Sequence, residues 1–331
     1  MDSNVSKNTF SHKFFKLRLT HENTSISIGN LLKQKLHSIF DLYSQSINFA
    51  IDPQFLYSAL EPKIVPLESC IESIASNLKI RKNLLTLQLT PIVYKCSIGL
   101  ALGSYLKTSP QIVAMSLASL LNFERDNIIL KSGFDLYVEI AESGWINFYL
   151  DSLSLGCWLK QSWSFTKAES VDKRDLFMVC QLEQTPANLF PVQYVHARCC
   201  ALLLLAARKK LITLGEDNFS NGVGQLSEPQ SISWLDAQNT LWLKDLRELK
   251  LIHQLLTVTD AFTSRSVKWN KLAINLSHTA AIFISQCRFL GEIKHEYPHK
   301  AIARLGLIVL TQYWLQRVLI EKLNVAAPIS L

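Results

Sequence analysis

The sequence predicts an α+β amino-terminal domain followed by an all-α helical bundle, and three observations carry that expectation. Between residues 25 and 165, short alternating apolar stretches interleave with helical ones. From Val192 onward the apolar period is helical almost without interruption. The positive charge excess also gathers in that second half. The organisation expected is a polar leader at 1–24, an α+β domain at 25–165, a linker at 166–188 and a helical bundle at 189–331.

Ile28, Leu31, Leu32, Leu36, Ile39, Phe40 and Tyr43 recur with helical spacing and predict a helix over 28–46. Beyond Pro53, Pro62 and Pro66, a second helix is expected at Leu67–Leu78 and a strand at Leu84–Leu89 that Pro91 should end. Ile98–Leu106 and Pro110–Leu121 read as two helices, with Ser109 and Pro110 suited to opening the latter. Ile128–Leu130, Asp135–Ala141 and Trp145–Leu150 alternate like strands, separated by Gly133 and Gly144. Lys167–Gln184 is charged and mixed, the best linker in the chain. Four long helices are then expected at Val192–Ile212, Asp236–Leu256, Asn270–Leu290 and His299–Asn324, with a polar loop holding Gly215, Gly222, Gly224 and Pro229 between the first two.

At 331 residues, with 48% hydrophobic and 18% charged side chains, the chain can bury one large core or two ordinary ones, which excludes wholesale disorder. The net charge is +7. Residues 1–165 hold 15 basic and 13 acidic side chains, residues 166–185 hold 3 and 4, and residues 186–331 hold 16 and 10, so the excess lies in the last segment. Seven cysteines with no C-x-x-C pair sit mostly in apolar runs and read as reduced thiols of a cytoplasmic protein. Lysines and Arg18 interrupt the first twenty residues, so no export signal is expected, and the longest uninterrupted apolar runs fall short of the roughly 20 residues of a membrane span.

One run matches an enzyme pattern literally: His295-Glu296-Tyr297-Pro298-His299 is H-E-x-x-H. Zinc chemistry needs both histidines on consecutive turns of one helix, and Pro298 is incompatible with a helix interior, so the run is read as a loop entering the last helix. His196, Cys199 and Cys200 share a helix, but a structural zinc normally draws a second, separated ligand pair, which is missing. No metal and no cofactor are expected. G-x-x-x-x-G-K-S/T, G-x-G-x-x-G and G-x-S-x-G are all absent from the sequence. What remains is an interleaving of basic and aromatic residues on the carboxy-terminal helices, including Tyr194, Arg198, Arg208, Trp269, Arg304 and Trp314. Cations hold phosphates while rings stack on splayed loop bases, a chemistry that suits RNA; a solvated face over core aromatics gives the same composition.

Pro191-Val-Gln-Tyr-Val-His-Ala-Arg198 resembles the opening helix of the DALR anticodon-binding domain of arginyl-tRNA synthetases, which typically begins Pro-Val-Gln-Tyr-Ala-His-Ala-Arg. Ala303-Arg304-Leu305 and the closing Leu323-Asn-Val-Ala-Ala-Pro328 resemble that domain's final helix and turn. Ser109–Ala114 and Gly144–Leu150 resemble a helix and a strand of the additional amino-terminal domain of the same enzymes, which contacts the outer corner of tRNA. A Gly-Asp-Tyr/Phe step usually precedes that helix; Tyr94-Lys95-Cys96-Ser97 stands here instead. Between Leu150 and Pro191 lie about forty residues, where the enzymes carry a catalytic domain of several hundred, and neither the H-x-G-H motif nor a KMSKS-like loop occurs. Those groups bring ATP to the adenylation transition state, so no arginine activation is expected.

The resemblance implies a non-catalytic tRNA-binding protein, with tRNA as partner, arginine tRNA in the first place, and neither membrane nor DNA. The candidate RNA-binding residues are Tyr194, His196, Arg198, Arg304 and Trp314 in the bundle and Asn147 and Tyr149 in the first domain. Tyr194 would stack on a loop base; Arg198 and Arg304 would hold phosphates or brace helices as ion-pair partners, and His196 would either face RNA or serve as a satisfied interhelical hydrogen-bonder. Two alternatives stand beside this: a protein-interaction scaffold that kept the fold and lost the RNA, and an accessory acting in trans with a full-length arginyl-tRNA synthetase.

Overall fold

Alternation of apolar and polar residues builds the sheet of the first unit, five antiparallel strands in the order β1-β4-β5-β3-β2. The computed structural model describes residues 15–20, 27–46, 63–69, 72, 88–123, 133–168, 189–214, 226–264 and 266–331. The strands are β1 (Phe15–Thr20), β2 (Lys63–Ile64), β3 (Leu89–Cys96), β4 (Gly133–Ile140) and β5 (Ile146–Asp151). The register sets Leu136, Val138 and Ile140 beside Leu150, Phe148 and Ile146, and Tyr94 and Cys96 beside Phe148 and Ile146, so one face is a continuous apolar surface. All of these side chains are buried. Helix α1 (Ile28–Ser46) contributes Ile28, Leu32, Leu36 and Ile39 to that core, and α3 (Pro110–Phe123) contributes Val113, Ala114, Leu117 and Leu121. The short helix α2 (Ile98–Tyr105) joins β3 to α3. Gly144, in the turn between β4 and β5, has φ of 87°, and a Cβ there would lie 2.5 Å from Pro110 Cβ.

The chain is thus mixed α/β, with a small antiparallel sheet and several helices. It divides into two compact units, Met1–Ser154 and Leu155–Leu331. The division falls within α4 (Ser152–Ala168), which Asp151 opens by accepting the Ser154 backbone N–H at 2.7 Å. The sequence pattern places the boundary later, at 166, and marks no element over 152–166. The helical period there is diluted by Ser152, Ser154, Gly156, Gln161, Ser162 and Ser164. The expected linker lies largely outside the described residues, as do the leader up to residue 14, most of the helix expected at 67–78, most of the strand expected at 84–89, the strand expected at 128–130 and the loop around Gly215, Gly222 and Gly224. Within the expected leader, Phe15–Thr20 are not a tail but form β1 and pair with β4.

Pro91 does not end a strand. It sits inside β3, where the register with β5 shifts between Leu89 and Val93, and an irregularity of that kind removes the demand for its missing N–H.

The second unit is built from the rest of α4 with α5 (Phe190–Arg208), α6 (Leu246–Ala261), α7 (Trp269–Gln286), the single-turn α8 (Glu292–Glu296) and α9 (Pro298–Arg317), which runs on into a π-helical turn at Val318–Lys322. Helix α9 packs on α5, α6 and α7. The segment before α6 is neither helix nor plain polar loop. After the two-stranded ribbon β6 (Thr213–Leu214) and β7 (Leu226–Glu228), residues 230–244 form a folded hairpin. Its legs carry buried Ile232, Trp234, Leu241 and Leu243, and Leu235 bridges Leu241. Its tip is tied by Asp236, which accepts from the Thr240 hydroxyl and from the Gln238 and Thr240 backbone N–H groups. Those bonds, the Thr240 hydroxyl first, hold the Asp236 carboxyl at about 2. Asp236 therefore belongs to a turn, and α6 starts at Leu246, capped by Asp245 in a capping box with Glu248.

The hairpin is seated on α9 at a glycine. A Cβ on Gly306 would lie 2.5 Å from both Ile232 Cδ1 and Trp234 Cη2. We expect Gly306→Ala to push the hairpin off the helix and to destabilise the chain by about 1–3 kcal/mol, read as a lowered midpoint in chemical denaturation. An unchanged midpoint would mean the contact carries no load.

Candidate nucleic-acid interface

Helix α5 presents two different faces. Val192, Gln193, Val195, His196, Cys199, Cys200, Leu203 and Ala206 point inward and are buried. Phe190, Tyr194, Arg198, Ala201, Leu205 and Arg208 recur at intervals of three and four and are exposed. By length and composition this helix is apolar enough to cross a membrane, and half of that apolar window is buried inside the fold. Tyr194 is 54% exposed. Among the described residues, no hydrogen bond or ion pair engages the side chain of Tyr194, Arg198 or Arg208. The helix thus offers an aromatic ring at its start and two uncommitted guanidinium groups further along one face. Lys209 and Lys210 lie exposed just beyond.

His196 is on the other face, fully buried, and its ring is used on both edges. Nδ1 lies 2.9 Å from the Pro328 carbonyl and so carries the proton, and Nε2 accepts from Gln312 Nε2 at 3.0 Å. Gln312 donates onward to Gln316 Oε1 at 3.2 Å. One turn back on α5, Gln193 donates to the Ala326 carbonyl at 2.8 Å. Two polar side chains of α5 therefore hold the segment after α9 by its backbone. Burial pushes the His196 ring down from 6.5 to about 4, against the opposing pull of the Pro328 carbonyl, so it is neutral at neutral pH. Of the two roles the sequence left open for His196, the structure places it in the interhelical one.

Arg304 is likewise committed. Its side chain is 11% exposed; Nε donates to Glu248 Oε1 at 2.7 Å and a terminal nitrogen donates to the Arg288 carbonyl at 2.6 Å. Glu248 is fully buried, and its other oxygen accepts the Asp245 backbone N–H at 2.8 Å. Arg304 thus braces helices rather than facing solvent. Trp314 is buried in a ring cluster with Phe165, Phe262 and Tyr313, and the Arg317 guanidinium lies 5.0 to 5.9 Å from the centroids of all four. In the first unit, Asn147 and Tyr149 lie on the sheet face opposite the α1 and α3 core, and both are buried. Asn147 Nδ2 and the Tyr149 hydroxyl donate to the same Glu139 oxygen, at 3.2 and 2.7 Å. Of the seven sequence candidates, only Tyr194 and Arg198 stand on an exposed face.

His295 and His299 are exposed at the end of α8 and the start of α9, with Pro298 between them opening the new helix; His299 stacks on Trp242 at 5.6 Å. Among the described residues no group of three His, Cys, Asp or Glu side chains could hold a metal ion. Sequence reasoning missed Gln193, Gln312, Gln316 and Glu248. A polar residue on an otherwise apolar helical face was the available signal for all four.

Comparison with known proteins finds a distant similarity. An arginine–tRNA ligase of Gloeobacter violaceus is 26% identical over 140 residues, 40% of this chain and 21% of that protein. The chain thus matches about a fifth of that relative's length. No family model matches the chain, and no solved structure matches it. The similarity is weak; it indicates a distant relationship to an arginine–tRNA ligase and fits a tRNA-related role.

Two outcomes follow from the buried groups. An unfolded histidine protonates near 6.5, whereas folded His196 resists protonation down to about 4, so its contribution is complete above pH 6.5 and is lost as pH falls between those values. At about 1.36 kcal/mol per pH unit the loss is about 3 kcal/mol, read as the pH slope of unfolding free energy in urea, and His196→Gln should flatten that slope. Glu248→Gln should cost about 3–5 kcal/mol, because it leaves the Arg304 charge buried without its partner. A midpoint equal to that of the unsubstituted chain would remove Arg304 from the bracing role.

Proposed function

We propose that this chain is a non-catalytic, cytoplasmic tRNA-binding protein, a distant relative of arginyl-tRNA synthetases that lacks their catalytic centre. Its helical unit acts as a DALR-like anticodon-binding domain. The observation that carries the proposal is the exposed face of α5, where Tyr194 precedes Arg198 and Arg208 and none of the three is engaged by another group among the described residues. The ring stacks on an unpaired loop base, and the guanidinium groups hold the flanking phosphates. Buried His196 and Gln193 keep that face in place by fixing the other side of the same helix to the Ala326–Pro328 segment. The similarity to an arginine–tRNA ligase supports tRNA as the RNA, and the charge of +6 over residues 186–331 supports a polyanion as the partner.

The absence of H-x-G-H and KMSKS-like motifs supports the non-catalytic part. A second reading has its own observation: Phe190, Leu205, Ile274 and Ile282 are exposed apolar residues of the helical unit, which suits a protein partner, a full-length arginyl-tRNA synthetase included.

Filter binding of bulk tRNA separates the readings. We expect affinity that falls steeply between 50 and 200 mM salt. Tyr194→Ala should weaken binding by about tenfold, and Arg198→Gln should reduce the salt slope by about one. No retention of tRNA at low salt favours the protein-partner reading. Arginine-dependent exchange of pyrophosphate into ATP should stay at background for the purified chain, and measurable exchange would overturn the non-catalytic assignment.

A further inference from the structure

The described arginines of the helical unit fall into two groups. Arg247 pairs with Asp245, Arg304 with Glu248 and Arg317 with Glu321. Arg198, Arg208 and Arg288 have no such partner among the described residues, and two of these three, Arg198 and Arg288, line one pocket. The pocket is about 160 Å³, and its remaining walls are Leu202 of α5, Ile284 of α7, Cys287, Phe289, Leu290 and Ile308 of α9.

The chemistry of these walls is specific. Burial pushes the Cys287 thiol up to about 11, so it is a neutral wall at physiological pH. Apart from it, the only polar side chains are those of Arg198 and Arg288, whose guanidinium groups donate and do not accept. A ligand rich in N–H donors finds no side-chain acceptor among Arg198, Arg288 and the apolar walls, and each donor left unpaired there is penalised. A hydrocarbon body meets no such cost and gains from burial against Leu202, Ile284 and Leu290, the half-buried members of the wall. The volume is that of about five waters, enough for one ring or a branched chain. Two uncommitted cations at such a pocket call for an anionic head. The wall is also fixed: the Arg288 carbonyl accepts from Arg304, and the Cys287 N–H donates to the Phe283 carbonyl at 2.8 Å.

We propose that this pocket binds a small organic anion, with a carboxylate or phosphate-ester head held by Arg198 and Arg288 and a single-ring or branched apolar body between α5, α7 and α9. The site shares Arg198 with the face proposed for RNA but not the stacking Tyr194; its test uses no RNA and varies Arg288 and Leu202, so either proposal can fail alone.

Titration calorimetry and saturation-transfer NMR of the full chain with 3-phenylpropanoate, phenyl phosphate and the neutral 3-phenylpropanamide decide the matter. We expect at least one of the two anions to saturate with a Kd of about 1 mM or below, and the stronger of them identifies the head. The amide should not saturate. Arg288→Gln, an exposed position, should weaken the anion by at least about tenfold with an unchanged unfolding midpoint, and Leu202→Trp should fill the pocket and abolish binding. Should Leu202→Trp fail to fold, Arg288→Gln alone decides. Saturation by neither anion, equal binding of the amide, displacement by inorganic phosphate at the same concentration as by phenyl phosphate, or indifference to Arg288→Gln would each overturn the proposal.

Discussion

A single guanidinium, that of Arg304, ties three separate stretches of the helical unit together. It reaches from α9 to the first turn of α6 through Glu248 and to the segment after α7 through the Arg288 carbonyl. Neither charge has access to water sufficient to stand alone, so the pair exists only while all three stretches are in place. Glu248 adds a local duty, closing the capping box that starts α6. The start of one helix, the middle of another and the exit of a third are thereby fixed by one set of hydrogen bonds. The geometry of the Arg198–Arg288 pocket depends on them, since Arg288 and Phe289 leave α7 at that point.

Helix α5 applies the same economy on a smaller scale. The run from Pro191 to Arg198 divides by position: Gln193 and His196 face inward and hold the Ala326–Pro328 backbone, while Tyr194 and Arg198 face outward. A helix with 3.6 residues per turn brings 193 and 196 to one side and 194 and 198 to the other. The resemblance carried by this run therefore mixes two kinds of residue, and only the geometry separates them. An inward histidine with both ring nitrogens engaged has no free edge to offer a ligand, whatever its chemistry in isolation.

Legibility followed the range of the interactions. Helix α1 at 28–46 and the strands around Tyr137 and Phe148 were readable because their signal is local, an apolar period of about 3.6 or 2. Helix α4 is masked by its serines, Gly156 and Gln161, although the buried Leu155, Trp158, Leu159 and Trp163 recur at helical spacing. The sequence reads 236–245 as the start of a helix, whereas Asp236 and Thr240 close a turn there. The polar braces are half legible: the sequence offers bracing as one role of His196 and Arg304, but His196 meets Pro328 and Gln312 across 132 and 116 residues of chain, and no spacing rule names partners at that distance. The candidate RNA set suffered most, because a basic or aromatic residue reads alike whether it is spent on a neighbour or left for a ligand.

That distinction also assigns the two units different weights in the proposed function. Asn147 and Tyr149 were candidates on the strength of their strand, yet both are buried and both donate to Glu139, so contact with RNA would require breaking bonds already made. Tyr194 and Arg198 require no such exchange. The charge agrees, with an excess of six positive charges over residues 186–331 against two over residues 1–165. Phosphate attraction scales with the number of cations free to replace counterions, and a cation already paired with Glu or Asp releases few. Arg247, Arg304 and Arg317 therefore count for little, and the capacity to hold a polyanion comes to rest on the outer face of α5 and the lysines that follow it.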